Sequence, residues 1–134
     1  MKLQAAGDFD VKLAPLASTD HAGGTTLARY SLDKVFRGEL EGTSRGEMLT
    51  AGTQVAGSAG YVAIERVEGT LGERQGSFVL QHLGRMSKSG QSLTIQVVPD
   101  SGTGELAGLE GTMHIDIEGK AHFYRFEYSL PARP

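Results

Sequence analysis

The amino-acid sequence predicts an all-β chain, an eight-stranded antiparallel up-and-down barrel formed by residues 1–134 as a single domain. Three observations predict it. Apolar residues recur at every second position through most of the chain. The breaks between these runs are mostly short and built from Gly, Pro, Ser and Asp. The 19 glycines are spread along the chain instead of being gathered into a linker or a repeat. No stretch has a helical stripe, so less than about a tenth of the residues should be α-helical, against about a third in an average domain. Closing eight strands removes sheet edges and leaves an interior that side chains or one small ligand can fill. A two-sheet sandwich is the alternative.

The elements follow from the pattern. Leu3, Ala5, Phe9, Val11 and Leu13 alternate with Lys2, Gln4, Asp8, Asp10 and Lys12, which predicts a first strand with one buried face. Residues 14–24 read as a loop with His21 exposed on it. A second strand over 25–40 places Tyr30, Leu32, Phe36 and Leu40 on one face, together with Lys34. That lysine either snorkels out or turns inward to meet a carboxylate, because a lone buried ammonium costs several kcal/mol. A third strand over 41–51 has Gly42 and Gly46 as bends or bulges. The central hairpin runs from Tyr61 to Leu71 and back from Gln75 to Met86, around Gly72-Glu73-Arg74. A sixth strand covers 91–98 and ends at Pro99. Residues 99–111 form a glycine-rich connection. The last two strands, 109–118 and 121–130, turn at Gly119-Lys120 and bury Met113 and Ile115 while His114 faces out.

Composition narrows the function classes. The absence of cysteine excludes disulfides, thiolate metal sites and a cysteine nucleophile. A net charge of -3 with interspersed signs offers no nucleic-acid footprint, and no apolar run approaches a membrane span. The N-terminal residues lack a signal-peptide pattern, so the expected location is the cytoplasm. No spacing of His, Asp and Glu supplies three or four metal ligands, and Asp100-Ser101-Gly102-Thr103-Gly104 lacks the lysine and helix of a phosphate-binding loop. No metal or cofactor is expected.

The segments KVFRGELEGTSRGEML (34–49), GSAGYVAIERVEGTLGERQGSFVLQH (57–82), VVPDSGTGELAGLEGTMHI (97–115) and HFYRFEYSL (122–130) closely resemble DUF3224, a bacterial family of unknown function. The resemblance spans nearly the whole chain. That family looks like a member of the allene oxide cyclase-like barrels, and residues 102–111 are similar to the Gly-Thr-Gly connection of dirigent proteins and plant allene oxide cyclases. The resemblance implies a lipocalin-like closed barrel, no established activity and no catalytic residues.

The residues themselves offer candidates. On the first arm of the hairpin Tyr61, Ala63, Glu65 and Val67 share a face opposite Val62, Ile64 and Arg66, and either face can be interior. On the second arm Phe78, Leu80, His82 and Met86 lie together, so His82 enters the lumen if the larger apolar groups mark the inside. An imidazole can move a proton near neutral pH. Glu65 and His82 are therefore the candidate catalytic residues, with a satisfied core histidine as the competing account. Lys34, Glu65 and His82 are the ionisable groups placed to meet in a lumen. The candidate ligand-binding set is Lys34, Phe36, Tyr61, Glu65 and Leu80, continued by His82, Met113, Tyr124 and Phe126. For the tyrosines, core packing competes with a role in a pocket.

These residues support a barrel that binds a small, largely apolar molecule. The alternatives are an isomerase or cyclase in which Glu65 or His82 transfers a proton, and a packed barrel that acts through its surface. The glycine-rich strands allow a homodimer or trimer without requiring one.

Overall fold

The computed structural model describes residues 2–16 and 20–132. Its strands are β1 (Leu3–Pro15), β2 (Thr26–Gly38), β3 (Leu40–Gly52), β4 (Ala59–Leu71), β5 (Arg74–Ser87), β6 (Gly90–Val97), β7 (Glu110–Glu118) and β8 (Ala121–Ser129). Each pairs with the next, and β8 returns to β1, so the sheet is a closed eight-stranded up-and-down barrel. Every pairing is antiparallel. Among the described residues there is no α-helix, only two single 3-10 turns at Ala22–Gly24 and Gly104–Leu106. Residues 17–19 of the predicted first loop lie outside the described residues.

The alternation does what period two requires, because successive side chains in a strand leave opposite faces of the sheet. Two details differ from the sequence expectation, and a third settles a choice that it left open. Leu40 opens β3 instead of closing β2, since the chain turns at Gly38-Glu39. Gly42 and Gly46 are not bulges: both sit in unbroken one-to-one register, opposite Gly69 and Glu65. They are there for closeness, because a Cβ at Gly46 would lie 2.0 Å from the Ile64 carbonyl oxygen and 2.6 Å from the Glu65 Cα. The third detail is β4, whose interior face is Tyr61, Ala63, Glu65 and Val67. The larger Val62 and Ile64 stand on the outer surface, about half exposed, beside Leu49 and Leu83.

The two ends of the barrel differ. At one end the β2–β3 and β4–β5 turns are tight, and the β6–β7 connection folds against β5. Thr103 accepts from the Ser77 amide through its hydroxyl at 3.1 Å, and the Thr103 amide donates to the Ser77 carbonyl at 2.8 Å. Leu106 and Leu109 of this connection are fully buried and plug that end. The core of the barrel lies there: Phe78 stacks on Phe126 with centroids 5.8 Å apart, and Phe126 on Tyr128 at 5.2 Å. At the other end lie the β1–β2, β3–β4, β5–β6 and β7–β8 connections, and the cavity there is lined by strand residues, with none of the residues 20–25 or 53–58 on its wall. The seam between β6 and β7 is short, with Ile95 opposite Met113 and Gln96 opposite Thr112 as its partner pairs.

Candidate functional site

Halfway along the barrel, four adjacent strands send polar side chains inward at one level. The register places Lys34 of β2 opposite Ser44 of β3, Gly46 of β3 opposite Glu65 of β4, and Ala63 of β4 opposite His82 of β5. The bare Gly46 and the small Ser44 leave space beside Glu65, which is fully buried. Lys34 Nζ donates to Glu65 Oε2 at 2.8 Å, His82 Nε2 meets the same oxygen at 2.5 Å, and Ser44 Oγ donates to Oε1 at 2.6 Å. The ammonium also lies 5.0 Å from the Phe9 ring centroid and 5.7 Å from that of Phe36, so aromatic faces replace part of its lost hydration. The sequence left open whether Lys34 snorkels; it turns inward and is 5% exposed.

Electrostatics determine where the protons sit. Burial pushes the Glu65 pKa up, but the hydrogen bond from His82 and the Lys34 charge outweigh it and hold the carboxyl down at about 2. Because Glu65 is ionised, it accepts from His82 Nε2–H, and in the neutral imidazole Nδ1 is then an acceptor. Tyr61 therefore donates its hydroxyl hydrogen to His82 Nδ1 across 3.1 Å. Burial, with the Glu65 charge behind it, raises the Tyr61 phenol to about 12, so the hydroxyl keeps its proton through neutral pH. A Tyr61–His82–Glu65 chain of hydrogen bonds results, with Lys34 and Ser44 completing the carboxylate's partners.

This polar layer forms the floor of a cavity of about 500 Å³ in the open half. Phe9, Leu32, Met48, Ile115 and Ile117 contribute its walls, and Lys34, Tyr61 and His82 border it from below. The Tyr61 ring lies over Gly84, its direct cross-strand partner; a Cβ there would come within 2.3 Å of the ring. Ile115 faces inward as expected, lining the wall, while His114 lies outside with its Nε2 3.1 Å from Glu127 Oε1.

The predicted ligand-binding set is thus divided. Lys34, Tyr61 and His82 reach the cavity, and Glu65 stands directly behind them. Phe36, Leu80, Met113, Tyr124 and Phe126 do not reach it; they belong to the packed core of the closed half. Tyr124 is committed to the backbone: its hydroxyl accepts from the Leu40 amide at 2.9 Å and donates to the carbonyl of Arg37 or Leu40, each 3.0 Å away. It pins the β2–β3 turn across the barrel. Ser44 and Gly84 were not singled out from sequence, and the signal for both is register. Ser44 falls opposite Lys34, and Gly84 opposite Tyr61, once the hairpins are aligned. Among the described residues no three of His, Cys, Asp and Glu converge as a metal-holding group.

The family model described as a protein of unknown function (DUF3224) matches residues 5–128. The chain belongs to the DUF3224 family. The barrel is similar to the crystal structure of a DUF3224 protein with unknown function from Shewanella oneidensis MR-1. The two are 53% identical, with a TM-score of 0.93 over 99% of this chain and 100% of the other. No curated protein matches the chain. Among the described residues no helix is long and apolar enough to cross a membrane.

Proposed function

We propose that the open half of this DUF3224 barrel binds a small, largely apolar molecule. Lys34 and Tyr61 serve as its polar anchors, and Glu65 and His82 hold them in place. One observation carries the reading: a buried Lys–Glu–His cluster, joined by hydrogen bonds through Glu65, faces a cavity instead of packed side chains. For folding alone such a cluster is a poor investment, since apolar groups of similar size are often neutral or stabilising in its place. Perturbed ionisable groups gathered in a cleft are a signature of use. The test is native mass spectrometry of protein purified from cells, together with titration of an environment-sensitive apolar dye. A co-purifying molecule, or dye binding that is lost when Met48→Trp fills the cavity, supports binding. Absence of both a ligand and dye binding overturns it.

The Tyr61–His82–Glu65 hydrogen-bond chain favours a second reading, an isomerase or cyclase that moves a proton to or from a confined substrate. It requires the ligand of the first reading to be chemically changed. A ligand that is recovered unaltered after incubation with the protein decides against it.

A further inference from the structure

We infer that the occupant of the open half is a weak organic acid, an apolar monocarboxylate taken up together with one proton; the inference rests on the binding reading above. It follows from the hydrogen-bond inventory of the floor. Lys34 has three N–H donors and gives one to Glu65, so it can donate to a ligand oxygen above it. Tyr61 gives its hydrogen to His82, so towards the cavity it presents an oxygen that accepts. Both residues line the same cavity, so the floor offers it a cationic donor and an acceptor, the two functions that the oxygens of a carboxyl group can use.

Charge supplies the rest. Lys34 and Glu65 cancel, so with an uncharged imidazole at His82 the floor is neutral, and a bare carboxylate would add a negative charge to an apolar cup. One proton cancels it, and the floor has two equivalent ways to hold that proton. On the ligand, the acid's O–H donates to the Tyr61 oxygen. On His82, the imidazolium donates from Nε2 to Glu65 and from Nδ1 to Tyr61, which frees the Tyr61 hydrogen for the second ligand oxygen. In both arrangements Lys34 and Tyr61 satisfy the two carboxyl oxygens, and the net uptake from solution is one proton. The groups facing His82 are consistent with this balance. Lys34 comes from β2, Ser44 from β3, and Glu65 and Tyr61 from β4, while β1, β6 and β7 present Phe9, Ile95 and Ile115. His122 of β8 packs on Phe9 at the wall, and Arg85 stands at the mouth. A neutral alcohol fills half of the anchor and needs no proton.

Isothermal titration calorimetry with octanoate and 1-octanol tests this. Octanoate at pH 7.5, titrated in phosphate and in Tris to separate the buffer's ionisation enthalpy, should take up close to one proton per molecule bound. Its Kd should rise about tenfold from pH 7.5 to pH 8.5. Octanol should bind at least tenfold more weakly, with no proton and no pH dependence. Octanoate binding without proton uptake, or octanol binding equally well, overturns the weak-acid inference while leaving the cup as a binding site. If octanoate, octanol and an apolar dye all fail to bind, the binding reading falls and this inference with it. The variant Lys34→Met/Glu65→Leu removes both charges together, so no lone charge is left buried. It should keep the β-sheet circular dichroism and the dye binding but lose at least tenfold in octanoate affinity; unchanged octanoate affinity overturns the proposed anchor.

Discussion

The two halves of the barrel are built by the same strands under the same alternation, yet one is full and the other hollow. In the closed half the inward positions are Phe36, Phe78, Tyr124 and Phe126, and the β6–β7 connection adds Leu106 and Leu109 from outside the strands. In the open half the inward positions carry Leu32, Met48, Tyr61 and Ile115, which line the walls of the cavity. The difference is one of filling and not of fold. Strand closure defines a tube, and whether a level of that tube is core or cavity depends on side-chain volume and on what the connections bring in. The polar layer of Lys34, Ser44, Glu65 and His82 sits at the border between the two. It closes the core from above and floors the cavity from below.

The border layer should respond most sharply to mutation. Lys34→Met leaves the Glu65 charge buried with no cation beside it, and should cost about 3–5 kcal/mol of unfolding free energy in urea. Lys34→Met/Glu65→Leu should recover most of that loss, because the pair is removed as a unit. A double variant no more stable than the single would show that Lys34 acts by packing its aliphatic stem and not by charge.

Truncations on either side of that layer sharpen the contrast. Leu80→Ala in the closed half opens a void in a packed core, and should cost about 2–5 kcal/mol. Ile117→Ala at the open rim removes a side chain that is 66% exposed, and should cost well under about 1 kcal/mol. Equal losses in denaturant melts would mean that the open half is as tightly packed as the closed one.

Much of this arrangement was legible in the sequence because period two is a direct readout of a strand's two faces. The eight strands and the hairpin around Gly72 follow from alternation and its turn-residue breaks, and the inward course of Met113 and Ile115 follows from alternation alone. The meeting of Lys34, Glu65 and His82 follows from the cost of burying any one of them unpaired. What alternation could not supply was the filling of the tube. On β4 the apolar Val62 and Ile64 competed with Tyr61 and Glu65 for the interior, and lost because register sets Glu65 opposite Gly46, within hydrogen-bond reach of Lys34 and Ser44. The aromatic candidates looked like lumen wall because nothing periodic in 98–109 announces that Leu106 and Leu109 fold in over them. The role of Tyr124 depends on a contact with Leu40, 84 residues away, that exists only once the barrel has closed.

Acid gives the mildest test of the same comparison, because the border carries an ionised carboxylate while the closed core holds no carboxyl group among the described residues. Glu65 titrates near 4.5 in an unfolded chain and is held at about 2 in the barrel. A group whose pKa is lowered on folding contributes stability above its unfolded value, and that stability is lost as pH falls through its folded value. The window is therefore pH 4.5 down to about 2, and the contribution at pH 6 is up to about 3 kcal/mol, of which more than half should be gone at pH 3. Exposed carboxylates such as Asp10, whose pKa is lowered by its hydrogen bond with Arg37, add a smaller slope of their own. Urea melts at pH 6 and pH 3 should accordingly show a larger drop for the parent than for Lys34→Met/Glu65→Leu, with the exposed pairs accounting for what remains. If the double variant loses as much stability between those pH values as the parent, the acid sensitivity belongs to the surface and not to the border layer. The polar floor would then be held together by hydrogen bonds whose strength does not depend on the Glu65 charge.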